Sequence, residues 1–333
     1  MIIKSSYHDY QIFFSDWKSF LEQNFTEGDI VIVDKFFESQ ISYNKIVIES
    51  MESSKEISAI IPIINSIITN NFKKNNKIFA LGGGVIQDIT GFISSILFRG
   101  VDWYFIPTTL ISQGDSCIGG KTSINFKNIK NQLGTNYPPL KICIDTNFLI
   151  TLPQEQINSG LGEMLHYFIY NSEDDFVFFQ QNFEKNNLKS LIQRSLEIKK
   201  TVIEIDEKEK GLRVLFNYGH TFGHALESVF GYEIPHGIAV AKGMDISNYI
   251  SHKLNFLSDS EYFEMNNILK KIYGSFNFEK FDIENYYEII KKDKKNSKKF
   301  IRPILIKKIG NLFQYDFEFD GKLLYLLKEY FKK

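Results

Sequence analysis

The sequence predicts an α/β domain followed by a mostly α-helical domain, on three observations. In the first half, short β-branched runs alternate with segments of helical period, which is typical of a parallel sheet with crossover helices. From about residue 152, segments of helical period dominate, and strand candidates nearly vanish until residues 300–310. The chain has 333 residues, which is enough for two domains. We therefore predict an α/β domain over residues 1–150 and a helical domain over residues 151–333.

The first domain is predicted to contain four short strands. The run IVIVDKFF over 30–37 is typical of a buried strand. Residues 77–98 predict a strand, a glycine turn and a helix, residues 101–110 a strand that ends at a proline turn, and residues 140–149 a further strand. Spaced apolar positions predict an amphipathic helix over 54–73.

The second domain is predicted to be helical in five segments. Helical period covers residues 155–170, 173–205, 213–230, 237–255 and 260–272. The lysine-rich run KKDKKNSKK over 291–299 predicts, by its composition alone, a solvated loop.

Composition and charge limit the partners. The net charge of −1 gives no indication of binding to nucleic acid or to an anionic membrane. No apolar stretch is long enough to span a bilayer, and the first residues lack the apolar segment of a signal peptide. The two cysteines fit a reducing compartment. We therefore expect a cytoplasmic protein with a small-molecule partner.

Two glycine-containing segments are candidates for binding an anionic ligand. LGGGVIQD over 81–88 joins a strand to a helix, so that backbone N–H groups at the helix start can meet a phosphate; a structural turn is the alternative. The segment 107–125 is polar, with Asp115 and Lys121 inside it. It predicts either a surface loop or a loop that holds a phosphorylated, hydroxylated small molecule.

Histidines and one buried carboxylate form the strongest candidate for a metal-binding or catalytic site. Glu163 and His166 are one turn apart in an apolar helical segment, and a carboxylate there needs a partner. His220 and His224 are also one turn apart, and His236 follows after a turn. Glu163, His220 and His236 would form a three-ligand metal site with an open position. His224 could be a fourth ligand or a phosphate or proton-transfer group, and spacing alone leaves the choice among the histidines open. Four upstream polar residues are expected to face inward: Lys199, Glu209, Arg213 and Asn217.

The ordered motifs resemble those of the 3-dehydroquinate synthase family. They are GGGVIQD, LFRG, PTTLISQGDSCIGGKTSIN, KNQLGTNYPP, IDTNFLITLP, GLGEMLHY, DEKEKGLRVLFNYGHTFGHALE, PHG and KKDKKN, and they span roughly Ile30 to Gly310. The resemblance implies a dehydroquinate-synthase-like fold, with an N-terminal α/β NAD-binding domain and a mostly α-helical metal-binding C-terminal domain. It also implies a homodimer and an enzyme of the shikimate pathway, which converts 3-deoxy-arabino-heptulosonate 7-phosphate to 3-dehydroquinate and phosphate.

The same resemblance implies a role for each matching residue. The metal ligands are Glu163, His220 and His236, with zinc the expected metal and cobalt or iron also compatible. The NAD contacts are Asp34, Glu52, Lys55, Gly83, Gly84, Asp88, Thr108 and Thr109. The catalytic set is Asp115, Lys121, Lys199, Glu209, His224 and His166. The remaining substrate contacts are Arg99 across the dimer interface, Lys130, Asn131, Arg213, Asn217 and a lysine of KKDKKN, Lys294 or Lys295. For that lysine-rich run, the resemblance replaces the interpretation as a solvated loop with a role in binding phosphate.

Four positions depart from the family pattern. His166 stands where lysine is usual and Ile238 where glutamate is usual, whereas Gln87 replaces a glycine and Phe36 a small polar residue. The departures at His166 and Ile238 leave three interpretations open. The protein is a dehydroquinate synthase with a modified active site, it is a sister cyclase that acts on another sugar phosphate, or His166 is an additional metal ligand. The retained Arg213 favours a substrate with a carboxylate. A metal-dependent NAD alcohol dehydrogenase and a catalytically inactive binding protein are the alternatives from other classes.

Overall fold

The computed structural model describes residues 1–127, 129–274, 276–278, 281–292 and 299–332. The chain divides into two compact units: Met1–Leu152 with Ile203–Glu207, and Pro153–Val202 with Lys208–Lys333. Residues 203–207, which the sequence division assigns to the second domain, therefore cluster with the first unit. In the described part of the chain, no helix has both the length and the apolar character needed to cross a membrane.

The first unit contains a mostly parallel sheet. Its elements are β1 (Ile2–Ile3), β2 (Tyr10–Phe14), α1 (Trp17–Asn24), β3 (Ile30–Asp34), β4 (Lys45–Ile48), α2 (Ile57–Thr69), β5 (Ile78–Gly82), α3 (Gly84–Ile96), β6 (Trp103–Pro107), β7 (Lys121–Phe126), β8 (Ile129–Asn136) and β9 (Lys141–Ile144). Across the described residues the sheet order is β1-β2-β9-β6-β5-β3-β4, and β1 alone among these strands pairs antiparallel. β3 and β5 are continuous apolar runs because both of their faces are buried.

The structure confirms the predicted strands and corrects one loop. The strand predicted over 30–37 ends at Asp34, whose carboxylate accepts a hydrogen bond from the Phe36 N–H and starts a 3₁₀ helix. The predicted loop over 107–125 is wrong at its end, because β7 begins at Lys121 and pairs antiparallel with β8. The polar residues of this segment argue against a core strand, and β7 is not part of the main sheet. Within this hairpin, β7 is partly buried, whereas β8 is mostly exposed.

The second unit is mostly helical. Its elements are α4 (Gln154–Asn171), α5 (Glu173–Glu184), α6 (Leu188–Ile203), α7 (His220–Val229), α8 (His236–Lys253), α9 (Asp259–Tyr273), α10 (Ile283–Lys291), β10 (Phe300–Ile301), β11 (Ile304–Lys308), β12 (Asn311–Gln314), β13 (Phe317–Glu318) and α11 (Lys322–Phe331). The strands form two antiparallel pairs, β10 with β13 and β11 with β12.

Two of the predicted helices are wrong in extent. The segment 173–205 is two helices, α5 and α6, separated by a turn in which Asn186 has a left-handed backbone with φ of 51°. The segment 213–230 begins as a 3₁₀ helix over Leu212–Asn217, and Gly219, with φ of 82°, precedes the first residue of α7. Both breaks use backbone conformations that residue spacing does not reveal.

Candidate metal and cofactor sites

Close helix packing positions the acid and the histidines of the second unit. A Cβ atom on Gly237 would lie 1.7 Å from the carbonyl oxygen of Ser159 and 3.0 Å from the backbone nitrogen of Glu163. The Gly237 N–H also donates to the Ser159 hydroxyl at 3.0 Å. Only glycine allows α8 to approach α4 this closely. The contact places His236, the first residue of α8, beside Glu163 of α4.

Glu163 faces two imidazoles, one with each carboxylate oxygen. Its Oε1 lies 3.3 Å from Nε2 of His220, and its Oε2 lies 3.3 Å from Nε2 of His236. The ring of His224 lies 5.4 Å from that of His220 and 5.5 Å from that of His236, centroid to centroid. One ring nitrogen from each of the three histidines lies within 4.8 Å of the others. The four side chains therefore form one cluster. Both Glu163 and His224 lie close enough to His220 and His236 to act with them as a third metal ligand.

The electrostatics of this cluster favour a cation. Burial alone would raise the pKa of the Glu163 carboxyl, but His220 and His236 outweigh burial and hold that pKa well below its usual range. Burial likewise lowers the pKa of His236, and Glu163 and Glu227 outweigh it, so that this pKa is well above its usual value. The buried carboxylate thus stabilises a proton on the neighbouring imidazole. A divalent metal bound between the two groups would take the place of that proton.

His166 lies near the Glu163 oxygen that also faces His220, and its ring is 5.5 Å from that of His220, centroid to centroid. Its Nδ1 is 4.0 Å from Glu163 Oε1, and its side chain is 1% exposed. Its ring contacts those of Tyr167, at 3.9 Å between centroids, and Phe216, at 5.7 Å. The ammonium of Lys199 lies 5.9 Å from the Tyr167 ring centroid. Tyr167 therefore links two predicted catalytic residues, a role that sequence analysis did not assign to it.

The 3₁₀ helix over Leu212–Asn217 carries two of the predicted substrate residues. The Asn217 side-chain amide donates to Glu209 Oε1 at 2.7 Å and to the Val214 carbonyl at 3.0 Å. Glu209 has a left-handed backbone with φ of 55°, which is uncommon outside glycine. Arg213 is 5% exposed. The structure thus brings Glu209 and Asn217 together.

The strand order of the first unit reverses at β3. β4 lies on one side of β3 and β5 on the other, so Asp34, the last residue of β3, and Gly83, which follows β5, lie at the same edge of the sheet on neighbouring strands. Ligands of open parallel sheets bind at such a point. A Cβ atom on Gly84, the first residue of α3, would have no neighbour within 4 Å, so the helix start is open. Thr108 and Thr109 follow β6, the strand beside β5.

Several residues predicted to contact NAD or substrate are joined in one polar network. The buried ammonium of Lys55 lies 2.8 Å from both Asp88 Oδ2 and Asn131 Oδ1, and 3.6 Å from Glu52 Oε1. The Asp88 carboxylate also accepts from the backbone N–H and the hydroxyl of Ser123 on β7. Burial raises the Asp88 pKa, against the opposing effect of Lys55. The network fixes the β7–β8 hairpin to α3 and holds Asn131 with φ of 55°.

Gln87, one of the departures from the family pattern, connects the two glycine-containing segments. Its side-chain amide donates to the Ser116 carbonyl, and its oxygen accepts from the Ser116 hydroxyl, both at 2.6 Å. Ser116 directly follows Asp115 in one π-helical turn over Ser112–Ser116. The contact is not evident from the sequence, in which Gln87 and Ser116 are 29 residues apart.

The other predicted residues are placed as follows. Lys121 starts β7, and Lys130 lies on β8. Arg99 is exposed and has a left-handed backbone with φ of 63°. Lys294 and Lys295 lie outside the described residues.

Comparisons with known proteins agree with this architecture. Residues 45–159 match the family model described as 3-dehydroquinate synthase N-terminal, and residues 160–296 match 3-dehydroquinate synthase C-terminal. A 3-dehydroquinate synthase of Dictyoglomus thermophilum is 40% identical over 274 residues, which cover 78% of this chain and 75% of that protein.

Two solved structures resemble the whole chain. A 2-deoxy-scyllo-inosose synthase complexed with carbaglucose-6-phosphate, NAD⁺ and Co²⁺ has a TM-score of 0.84 at 21% identity, over 99% of each chain. ValA, a 2-epi-5-epi-valiolone synthase of Streptomyces hygroscopicus subsp. jinggangensis with NAD⁺ and Zn²⁺ bound, has a TM-score of 0.82 at 20% identity, over 99% of this chain and 97% of the other. At this level of identity the likeness establishes the fold, and the predicted fold class is confirmed.

Proposed function

Because the chain belongs to the 3-dehydroquinate synthase family, we propose that it is a carbon–oxygen lyase of that type. Its substrate is 3-deoxy-arabino-heptulosonate 7-phosphate, and its products are 3-dehydroquinate and phosphate. The observation that carries the proposal is the position of Glu163, whose two oxygens each lie 3.3 Å from a histidine Nε2. The chain also has an open helix start at the point where the strand order of the sheet reverses, and NAD would bind there.

The donor set fits a divalent metal. One carboxylate and two imidazoles, with a coordination position left open, are typical of catalytic zinc, and cobalt suits the same ligands. Glu163, His220 and His236 would hold the metal, which supplies Lewis acidity, while NAD in the first unit supplies reversible hydride acceptance. His224 is left to face the substrate, where its imidazole exchanges a proton with a substrate oxygen.

The remaining residues bind and orient the substrate. Arg213 pairs with the substrate carboxylate, and its planar guanidinium, 5% exposed, is suited to a bidentate contact. Glu209 and Asn217 form one hydrogen-bonded pair that receives hydroxyl groups. In the first unit, the Lys55 network supports the β7–β8 hairpin, which carries Lys121 and Lys130 as cations for phosphate or hydroxyl oxygen.

The finer assignments are proposals of the same kind. The first unit is the NAD domain and the second the metal and substrate domain. The enzyme is a cytoplasmic homodimer in which Arg99 reaches the phosphate of the other protomer's substrate. Light scattering of the purified protein measures the assembly, and a monomer that turns over the substrate would contradict it.

The proposed reaction is tested by phosphate release. Metal-loaded protein with NAD is expected to release phosphate from 3-deoxy-arabino-heptulosonate 7-phosphate and to form dehydroquinate without net NADH. Accumulating NADH with a polyol would indicate an alcohol dehydrogenase instead. If Glu163→Ala were as active as the unchanged protein, the proposed site would be wrong. No turnover by a protein that binds both metal and NAD would favour the inactive binding protein.

One observation favours a second candidate, a sister cyclase acting on another sugar phosphate. His166 is 1% exposed beside Glu163, and Ile238 is fully buried in α8, where the family pattern has lysine and glutamate. A panel of sugar phosphates with and without a carboxylate distinguishes the two candidate functions, because the sister cyclase would turn over only the sugar phosphates that lack a carboxylate. His166→Lys restores the usual charge and is expected to retain or raise dehydroquinate formation. Complete loss in that variant would mean that the site is built around imidazole.

A further inference from the structure

We propose that Glu227 is a positioning residue of the metal centre, which holds the His236 ring through Nδ1 and so directs Nε2 at Glu163. Glu227 Oε2 lies 3.2 Å from His236 Nδ1, and its side chain is 13% exposed. This role rests on the proposed metal function of Glu163, His220 and His236. Glu227 is the last residue of the motif DEKEKGLRVLFNYGHTFGHALE, but neither the motifs nor the comparisons give it a role.

The position of Glu227 follows from the geometry of α7. His220, His224 and Glu227 are spaced four and three residues apart, so they lie on one face of this helix. The helix therefore supplies both a candidate ligand and the hydrogen-bond acceptor for the ligand of another helix. At its end, the Glu227 carbonyl accepts a hydrogen bond from the Tyr232 N–H at 2.7 Å, which fixes the backbone that carries the carboxylate.

The two candidate imidazole ligands are held in the same way. His220 Nδ1 faces the Tyr218 carbonyl at 3.2 Å, as His236 Nδ1 faces Glu227, and each ring presents Nε2 to one oxygen of Glu163. An acceptor at Nδ1 keeps the proton there, so that the lone pair of a neutral imidazole is on Nε2, where a metal binds. Both rings are thus arranged as ligands through the same nitrogen.

His236 needs this support more than His220 does. Its side chain is 36% exposed, against 12% for His220, so surrounding atoms restrain its ring less. It is also the first residue of α8, where a helix frays most readily. A carboxylate acceptor adds to orientation by making the imidazole a more basic ligand.

The test measures the dissociation constants of Zn²⁺ and Co²⁺ by competition with a chelator. In Glu227→Ala, both constants are expected to rise about 10–100-fold, which is the usual effect of removing such a partner. Glu227→Gln keeps an acceptor without the charge and is expected to fall between Glu227→Ala and the unchanged protein. The visible absorption of bound Co²⁺ is expected to change in Glu227→Ala, because the ring is no longer fixed.

Glu233→Gln is the matched control. Glu233 is exposed three residues before His236, so this variant removes the same charge nearby without removing the contact. Its metal affinity is expected within about twofold of the unchanged protein, below the range for the Glu227 contact. Equal affinity of Glu227→Ala and the unchanged protein would overturn the role of Glu227 and leave the proposed function standing. Metal binding that survives Glu163→Ala unchanged would overturn the metal site itself, and the role of Glu227 with it.

Discussion

Replacing Gly237 with alanine is expected to destabilise the protein and to weaken metal binding, although alanine is the better helix former. In a helix without close neighbours, glycine to alanine stabilises by up to about 1 kcal/mol. Gly237 lies in the first turn of α8, and its added Cβ would be 1.7 Å from the Ser159 carbonyl oxygen. The close approach of α4 and α8 therefore decides the sign of the effect.

The structure also gives the size of the displacement. Cβ atoms essentially never lie within 3.0 Å of such an atom, so α8 and α4 must separate by about 1.3 Å at this contact. Overpacking of a buried site costs about 1–3 kcal/mol. Metal–ligand distances tolerate about 0.2 Å, so a shift of this size beside His236 separates it from Glu163 as a ligand pair. We expect a net loss of about 1–3 kcal/mol and at least a tenfold rise in the metal dissociation constant.

Urea unfolding and Zn²⁺ competition measure the two effects. Gly84→Ala is the control, because the new Cβ there has no neighbour within 4 Å, and its stability and metal affinity are expected to be unchanged or slightly improved. If Gly237→Ala were as stable as the unchanged protein and bound Zn²⁺ equally well, close packing would not be what positions the metal ligands.

Three further predictions concern pH, a contact in the first unit and a buried carboxylate of α8. The Glu163 pKa lies below its ordinary 4.5 and that of His236 above its ordinary 6.5, so in metal-free protein their pairing stabilises fully between about pH 4.5 and 6.5. That stability is lost as pH falls through the lowered pKa or rises through the raised one. Thermal unfolding of the unchanged protein and of Glu163→Gln at a series of pH values measures the difference in stability between them. A difference that is the same at all pH values would refute the pairing. A double-mutant cycle of Gln87→Ala and Ser116→Ala, followed by urea unfolding, should give a coupling of about 0.5–1.5 kcal/mol, and additivity would contradict their contact. Asp245→Ala should cost at least about 3 kcal/mol in urea unfolding, because the buried carboxylate accepts from three side chains, and a loss below about 1 kcal/mol would exclude this role.

Much of the fold follows from local patterns in the sequence. The strands β3 and β5 are predictable because short continuous apolar runs are typical of strands with both faces buried. The long helices α4 and α8 are predictable from their apolar period, although α8 is buried along almost its whole length. The break between α5 and α6 is not, since it depends on a left-handed backbone at Asn186, a residue that adopts either conformation.

The residue types of the candidate site were predictable from the sequence, but the polar contacts that position these residues were less so. The motif order points to Glu163 and the histidines, but the polar contacts around them join residues that are distant in sequence. Lys55 illustrates the limit: its type suggests a cation for a ligand, whereas its ammonium is 2.8 Å from Asp88 and anchors a hairpin. Which long side chain meets a ligand and which meets its neighbour depends on tertiary packing that residue spacing does not contain.

Glu227 marks where sequence reasoning could have gone one step further. Once His220 and His224 are assigned to one helix face, the next position on that face is Glu227, and a carboxylate next to candidate ligands is itself a signal. The sequence predicts the start of α8 to within one residue, but it does not show which ring nitrogen of His236 faces α7. The approach of α8 to α4 at Gly237 determines this, so the glycine that permits the contact also determines which acid supports the ligand. A variant that moves α8 is therefore expected to weaken the Glu227 contact and the Glu163 contact by displacing His236 as a whole, whereas Glu227→Ala leaves α8 in place and frees only the orientation of the His236 ring.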